Sequence, residues 1–419
     1  MAEGEADMIE KLVFWEHAVE TLGYFSRQMG EYFKEKGYQT FFVDNEKKEE
    51  SIRCLKEFIK AGKTAFITFN FIGLSGEECC CQPDGRSIWE AWDIPCYCIL
   101  VDHPFYYEKQ LGRKRTNQVI FCVDRGHTAY VQRFYPGTSC YFLPLAGNLP
   151  LMGDTGKEKN MPYLPYRERK YDISFIANYV PLEELEVHIN NQTEEYVDFY
   201  YEIIEDLKQH PSRPVDETLE KYIKREIPEA GEEDIRSAQA GMIAVDLYIR
   251  SVYRSEVIRS LADAGLKVHV FGSGWDRMEC FHRENLIANG IMLTSAECVE
   301  IIRNTKIALN VMPWFKDGAH DRIFTAMLNG AVCLTDDSKY LREILADGED
   351  VCFYRLPETW SREETKEVSG ETLGVAEAAE YLLGHPGEAE ALAKRAYERA
   401  RGEHTWRKRA ERLEMFWIE

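Results

Sequence analysis

Hydrophobic and polar positions follow two periods along this chain. Short apolar runs rich in β-branched and aromatic residues at 11–15, 38–43, 64–69, 95–101, 118–123 and 141–143 predict strands. Between them, 17–36, 49–61, 87–92 and 127–134 place apolar residues at helical spacing. Strands alternating with helices predict a mostly parallel sheet covered on both faces. A Rossmann-like domain spanning 1–147 is therefore expected, followed by a Pro-, Gly- and charge-rich linker over 148–170. A second α/β run opens at 171–177 (YDISFIA) and continues with strands at 267–271, 306–312, 331–335 and 351–354. Helices are predicted at 296–303, 321–328 and 339–345. Between the first two strands of this run, about 182–259 is charged and helical, broken near Pro211, Pro214 and Pro228, and reads as a helical insertion. The stretch 388–419 is helical throughout, and all of 171–419 is assigned to the second domain.

A length of 419 residues agrees with two domains, since single cores rarely grow beyond roughly 250–300 residues. The net charge of −21 argues against general affinity for nucleic acid or anionic lipid, both of which need Lys and Arg to neutralise phosphates. Any anionic ligand must then be held by a local basic or dipolar pocket. The first twenty residues, MAEGEADMIEKLVFWEHAVE, are acidic where a signal peptide is basic. No run approaches the ~18 apolar residues that a membrane helix needs, so a cytoplasmic protein with no integral membrane segment is expected. The 12 cysteines read as reduced thiols. Cys79, Cys80, Cys81, Cys96 and Cys98 lack the paired spacing of a zinc site, and the last two suit burial on one strand face.

The chemistry concentrates in 306–337. The strand KIALNVM runs into the loop PWFKDGAH, then the helix DRIFTAML, the stop Asn329-Gly330, and a strand ending in Asp336 and Asp337. In an open parallel sheet, ligands bind beyond the carboxyl ends of the strands, and the N–H groups of a helix start attract anions. Gly318 permits close backbone approach, while Lys316, His320 and Arg322 add donors. A diphosphate site is one reading; a plain β-loop-α unit with His320 or Asp321 capping the helix is the other. Gly272, Ser273, Gly274 and Trp275 form a second glycine loop after a strand, but no third glycine completes a dinucleotide fingerprint.

The segment HDRIFTAMLNGAVCLTDDSKYLREILADGEDVCFY, with FGSGW before it and HTWRKRAERL after it, resembles the C-terminal domain of bacterial glycosyltransferases of the CgeB type. These belong to the GT-B superfamily, and the resemblance covers 171–419 apart from the insertion. It implies two Rossmann-like domains facing a cleft, and a glycosyltransferase using a nucleoside-diphosphate sugar as donor, with no cofactor or catalytic metal. The acceptor would be a glycan or a protein. The diphosphate would lie against Gly272–Gly274 and Gly318–Arg322. Many relatives place a ribose-binding Glu where this chain has Thr325, which leaves Asp336 or Asp337 as substitutes. The same substitution supports a second reading, a non-catalytic GT-B protein in spore-coat or cell-surface assembly.

The first domain offers polar groups at strand ends: His17, Asn70, Asp102, His103, Asp124 and His127. An inverting transfer needs a general base beside the acceptor hydroxyl. Asp102 and His103 are the favoured pair, because VDHP joins an acid, an imidazole and a turn-forming Pro, and His17 is a further candidate. The structural alternative has Asp102 capping a turn and His103 packed beneath Tyr106 or Tyr107.

Overall fold

The computed structural model describes residues 9–418 except 83, 114, 152–162, 192, 291, 313 and 357–372. Most of the linker expected at 148–170 thus lies outside the described residues. The chain folds as two compact units, Met1–Asn148 with His404–Glu419, and Leu149–Glu403.

The first unit is built on β1 (Lys11–Glu16), β2 (Gln39–Asp44), β3 (Thr64–Phe69), β4 (Cys96–Leu100), β5 (Gln118–Cys122) and β6 (Ser139–Phe142). They form one sheet in the order β2-β1-β3-β4-β5-β6, and each pairing is parallel. Every residue of β3 (TAFITF) and β4 (CYCIL) is buried, which is why both read as unbroken apolar runs rather than alternating ones. Cys96 and Cys98 lie in that buried strand, and all 12 cysteines are free thiols.

The helix Trp406–Ile418 completes this unit, although its sequence reads as a continuation of the second run. Gly147 N–H donates to His404 O at 2.9 Å, and Arg409 Nε donates to Pro144 O at 2.7 Å. The Trp406 ring lies 4.4 Å from Phe25, and its Nε1 donates to Asn148 Oδ1 at 2.9 Å. Helical periodicity marks an apolar face but not the surface that covers it, so the sequence could not assign this helix.

The second unit contains β7 (Tyr171–Ile176), β8 (Val268–Phe271), β9 (Leu286–Ala288), β10 (Thr305–Asn310), β11 (Val332–Thr335) and β12 (Cys352–Phe353). Their order is β12-β11-β10-β7-β8-β9, again all parallel. β9 has three residues, too few for a periodic signal, and the sequence pattern did not reveal it. Between β7 and β8 come the helices Leu182–Asn190, Glu194–Gln209, Val215–Glu226 and Glu232–Gly241, then the long helix Ile243–Asp263 that leads into β8.

Both sheets grow outward from an interior strand. The direction of growth reverses between β1 and β3 in the first unit and between β7 and β10 in the second. Such reversals open a crevice at the carboxyl ends of the strands. No helix among the described residues is long and apolar enough to cross a membrane.

The placement of the last helix is testable. Trp406 is 2% exposed, and Trp406→Ala is expected to destabilise the first unit by about 3–5 kcal/mol, read as a lower urea midpoint. An unchanged midpoint would mean that this helix is not part of the unit's cooperative core.

Candidate functional site

At the β7/β10 reversal, the chain leaving β7 is held by side chains from three other segments. Arg322 Nη1 donates to Ile176 O at 2.8 Å, Trp275 Nε1 to Ala177 O at 2.6 Å, and Arg254 Nη1 to Asn178 O at 3.1 Å. Asn178 Oδ1 in turn accepts from Ser273 N–H at 3.0 Å. This segment therefore joins the glycine loop after β8 to Arg322, on the helix Asp321–Leu328 that follows β10.

The glycines of FGSGW answer to that packing. Gly272 has φ 127°, and a Cβ there would sit 2.4 Å from Ala177 O. Gly274 has φ 86°, and its Cβ would sit 2.0 Å from Tyr179 O. Only glycine meets both the left-handed backbone and the close approach. Trp275 is fully buried and stacks on Tyr179 with ring centres 5.1 Å apart.

The loop 314–320 and the helix after it carry the remaining candidates; Pro313 lies outside the described residues. His320 caps the helix, its Nδ1 being 3.3 Å from Arg322 N and 2.7 Å from Asp321 Oδ1. Burial, followed by the nearby Arg322 charge, lowers the imidazole to about 4, so His320 is neutral at physiological pH. Lys316 donates from Nζ to Pro211 O in the helical insertion. Gly318 is buried, and its carbonyl accepts from Ser338 Oγ at 2.6 Å. Thr325 is buried and donates to Asp321 O at 2.8 Å, one turn back. The two aspartates part company. Asp336 is buried and accepts from Met312 N–H at 2.9 Å, whereas Asp337 is half exposed and pairs with Arg342 Nε at 2.8 Å.

Arg322 is the unusual group. Its Nε and Nη2 are buried without a hydrogen-bond partner, and it forms no ion pair among the described residues. A buried donor left unmade costs about 1–3 kcal/mol, more when charged. Burial lowers its pKa against the pull of Asp321 and Asp336.

Arg250, Arg254 and Trp314 belong to no recognisable sequence motif. Both arginines lie on the helix Ile243–Asp263 and pack over the Trp314 ring, their guanidinium carbons 4.7 and 5.0 Å from its centre. Arg250 is paired with Asp246 at 2.7 Å. Arg254 is lowered to about 9 by burial and by the charges of Arg322 and Arg250. The available signal was their i, i+4 spacing, which places two like charges on one helix face.

In the first unit, the candidates divide between surface and core. His17 follows β1 with φ 61°, and its Nδ1 lies 2.8 Å from Asp44 Oδ1, at the end of β2. That bond holds the Asp44 carboxyl below its usual range. Asn70 follows β3 with φ 50°, and Phe71 has φ 58°. Positive φ is uncommon for residues other than glycine, and here it clusters at the β1/β3 reversal. Asn70 Nδ2 donates to Asp102 Oδ2 at 3.1 Å, and Tyr107 Oη donates to the same oxygen at 3.2 Å. His103 is 2% exposed and caps the turn Pro104–Tyr107, with ring centres 4.3 Å from both Phe105 and His127. Asp124 caps the helix Arg125–Phe134, accepting from Gly126 N–H at 2.7 Å. His17, Asp44 and Glu46 bring potential metal-ligating atoms within 4.8 Å of one another, but on side chains open to solvent.

Comparison with known proteins bears on this geometry. The glycosyl transferase-like family model matches residues 250–415, less than half of the chain. A search of curated proteins finds no match to the sequence. Among solved structures, an alpha-glucosyltransferase in complex with UDP and a 13-mer DNA is similar at a TM-score of 0.50 and 10% identity, over 98% of this chain and 99% of that one. Sucrose-phosphate synthase from Thermosynechococcus elongatus gives a TM-score of 0.49 at 12% identity, over 98% of each chain. Anabaena HepE in complex with UDP and glucose gives 0.45 at 8% identity, over 97% of this chain and 99% of that one. At these identities the likeness is one of fold, and the first comparison carries it. The chain has a GT-B-type, glycosyltransferase-like fold with helical insertions.

Asp336 supplies a test within this site. Burial raises its carboxyl from 3.8 to about 7, so the folded state favours the protonated form. That contribution to stability is complete below the unfolded value and is lost as pH rises through about 7. Asp336→Asn keeps an acceptor for Met312 N–H and removes the charge. Its thermal midpoint is expected to exceed wild type at pH 8, by about 2–4 °C for each kcal/mol relieved, and to converge with it near pH 4. Parallel pH curves for the two proteins would contradict this.

Proposed function

We propose that this chain is a glycosyltransferase that moves a sugar from a nucleoside-diphosphate sugar to a glycan or protein acceptor, without a catalytic metal. The observation that carries the reading is Arg322, a cation at the β7/β10 reversal of an acidic protein with two buried nitrogens awaiting an acceptor. A diphosphate matches that need, since guanidinium binds phosphate oxygens in a fork. The helix start at Asp321 adds its dipole, and the FGSGW loop braces the strand exit on which Arg322 rests. The match of the glycosyl transferase-like model over 250–415 supports the same assignment. Within the superfamily, the residues 320–354 favour the CgeB type, and the expected setting is the cytoplasm.

Chemically, Arg322 stabilises the negative charge that develops on the departing diphosphate. On the acceptor side, His17 is the general base best placed to take a proton, because it is open to solvent while His103 is sealed in the core. Asp44 orients the His17 ring, and Asp102 fixes Asn70 at the end of β3, which neighbours β1 in the sheet. Asp336 and Asp337 remain candidates for the ribose hydroxyls, and Lys316, Gly318 and His320 for the edge of the phosphate site.

A second reading, binding without turnover in spore-coat or cell-surface assembly, draws on Thr325. Its hydroxyl hydrogen is committed to Asp321 O, and Thr offers no carboxylate for a ribose.

Thermal shift with UDP and GDP tests the binding claim. Wild type is expected to shift with at least one of them, and Arg322→Ala to weaken that binding by about tenfold or more, as befits a lost charged hydrogen bond. Absence of any shift with either nucleotide would sink the reading. A nucleotide-sugar panel read by released nucleoside diphosphate separates the two functions. His17→Ala is expected to lower turnover by about 10²–10⁴ while leaving the nucleotide shift intact. Turnover unchanged in His17→Ala would remove His17 as the base.

A further inference from the structure

Two arginines meet the same short segment. Arg322 donates to Ile176 O at 2.8 Å and Arg254 to Asn178 O at 3.1 Å, so the two guanidinium groups are anchored two residues apart on the chain leaving β7. Neither forms an ion pair among the described residues. Three of their nitrogens, Arg254 Nε and Arg322 Nε and Nη2, are buried with no hydrogen-bond partner. Each anchoring bond uses one nitrogen of its fork and goes to a neutral carbonyl, and the carboxylates that act on the pair, Asp321 on Arg322 and Asp246 on Arg254, do so without an ion pair to either among the described residues.

The surroundings hold Arg254 in that position. The Trp314 ring lies 5.0 Å from its guanidinium carbon, and Arg250, 4.7 Å from the same ring, is already committed to Asp246. Asn178, whose carbonyl receives Arg254, is itself tied to Ser273 N–H. The two cations repel each other, and that repulsion adds to burial, the larger cause, in lowering the Arg254 pKa. A bridging anion with several oxygens reverses the sign of that interaction and supplies acceptors for the idle nitrogens.

We propose that Arg254 is a second phosphate-binding residue, which together with Arg322 seats the terminal phosphate of a nucleoside diphosphate. This inference rests on the nucleotide-sugar reading and adds a specific residue and a specific group to it. The terminal phosphate of the free diphosphate is the one bonded to sugar in the donor. When the bond from the anomeric carbon to its oxygen breaks, the electron pair remains on that oxygen, and the two guanidinium groups face the added charge. The helix that supplies Arg254 enters from the insertion, so the insertion then contributes directly to the donor site. The competing account makes Arg254 a prop that holds Asn178 O and Trp314 and touches no ligand.

Affinities for UDP, UMP, GDP, GMP and inorganic pyrophosphate, measured on wild type, Arg254→Gln, Arg254→Lys and Arg322→Gln, distinguish these accounts. Arg254→Gln is expected to weaken the diphosphate that binds wild type, and pyrophosphate, by at least tenfold. It should change the matching monophosphate by less than threefold and reduce the salt dependence of diphosphate binding. Arg254→Lys should recover part of the loss. Equal weakening of diphosphate and monophosphate would show a prop and overturn the proposal, as would an Arg254→Gln protein that binds diphosphate like wild type. If Arg254→Gln does not fold, the decision passes to Arg254→Lys, whose diphosphate selectivity must fall below that of wild type. Weakening in Arg322→Gln alone removes Arg254 and leaves the nucleotide-sugar reading standing; wild type that binds none of the five probes removes both.

Discussion

The chain leaving β7 gives up three successive backbone carbonyls, those of Ile176, Ala177 and Asn178, to the side chains of Arg322, Trp275 and Arg254. Carbonyls beyond a strand end have lost their ladder partners and must be satisfied in some other way. Here donors arriving from three separate elements satisfy them. The glycine loop after β8, the helix after β10 and the long helix before β8 are thereby fixed against one backbone segment.

That constraint accounts for residues which otherwise look arbitrary. Gly272 and Gly274 are required because the backbone at 177–179 passes where a side chain would sit. The resemblance of FGSGW to a phosphate loop is therefore partly a consequence of packing. The loop braces the segment on which the two arginines rest. Thr325 follows a similar logic, its hydroxyl turned back on its own helix.

Charge tells the same story on a larger scale. The chain carries a net charge of −21, yet Arg254 and Arg322 are collected at one strand exit and form no ion pair among the described residues. Across the same edge, Asp336 is buried and held toward neutrality, while Asp337 beside it is spent on Arg342. The first unit has a different device at its own strand reversal, a solvent-open His17–Asp44 pair beside residues held at positive φ.

Much of this was legible in the sequence. Fully buried parallel strands such as TAFITF and CYCIL announce themselves as apolar runs, and the DRIFTAML helix and its Asn-Gly stop are local signals. Local sequence also placed Arg322, His320 and the FGSGW loop at carboxyl strand ends. It did not reveal β9, which is too short to show a period, or the unit to which the last helix belongs. Nor did it reveal that Arg254, 68 positions from Arg322, reaches the same chain segment after β7. The preference for His103 over His17 rested on the local VDHP motif, which carries no information on burial; His103 is sealed in the core and His17 is open. The sequence by itself thus determined the elements and their strand-end chemistry, because hydrophobic period and turn residues act over a few positions. Only the tertiary structure decided which charges are buried, paired or left over, because burial and pairing depend on segments far apart in the chain.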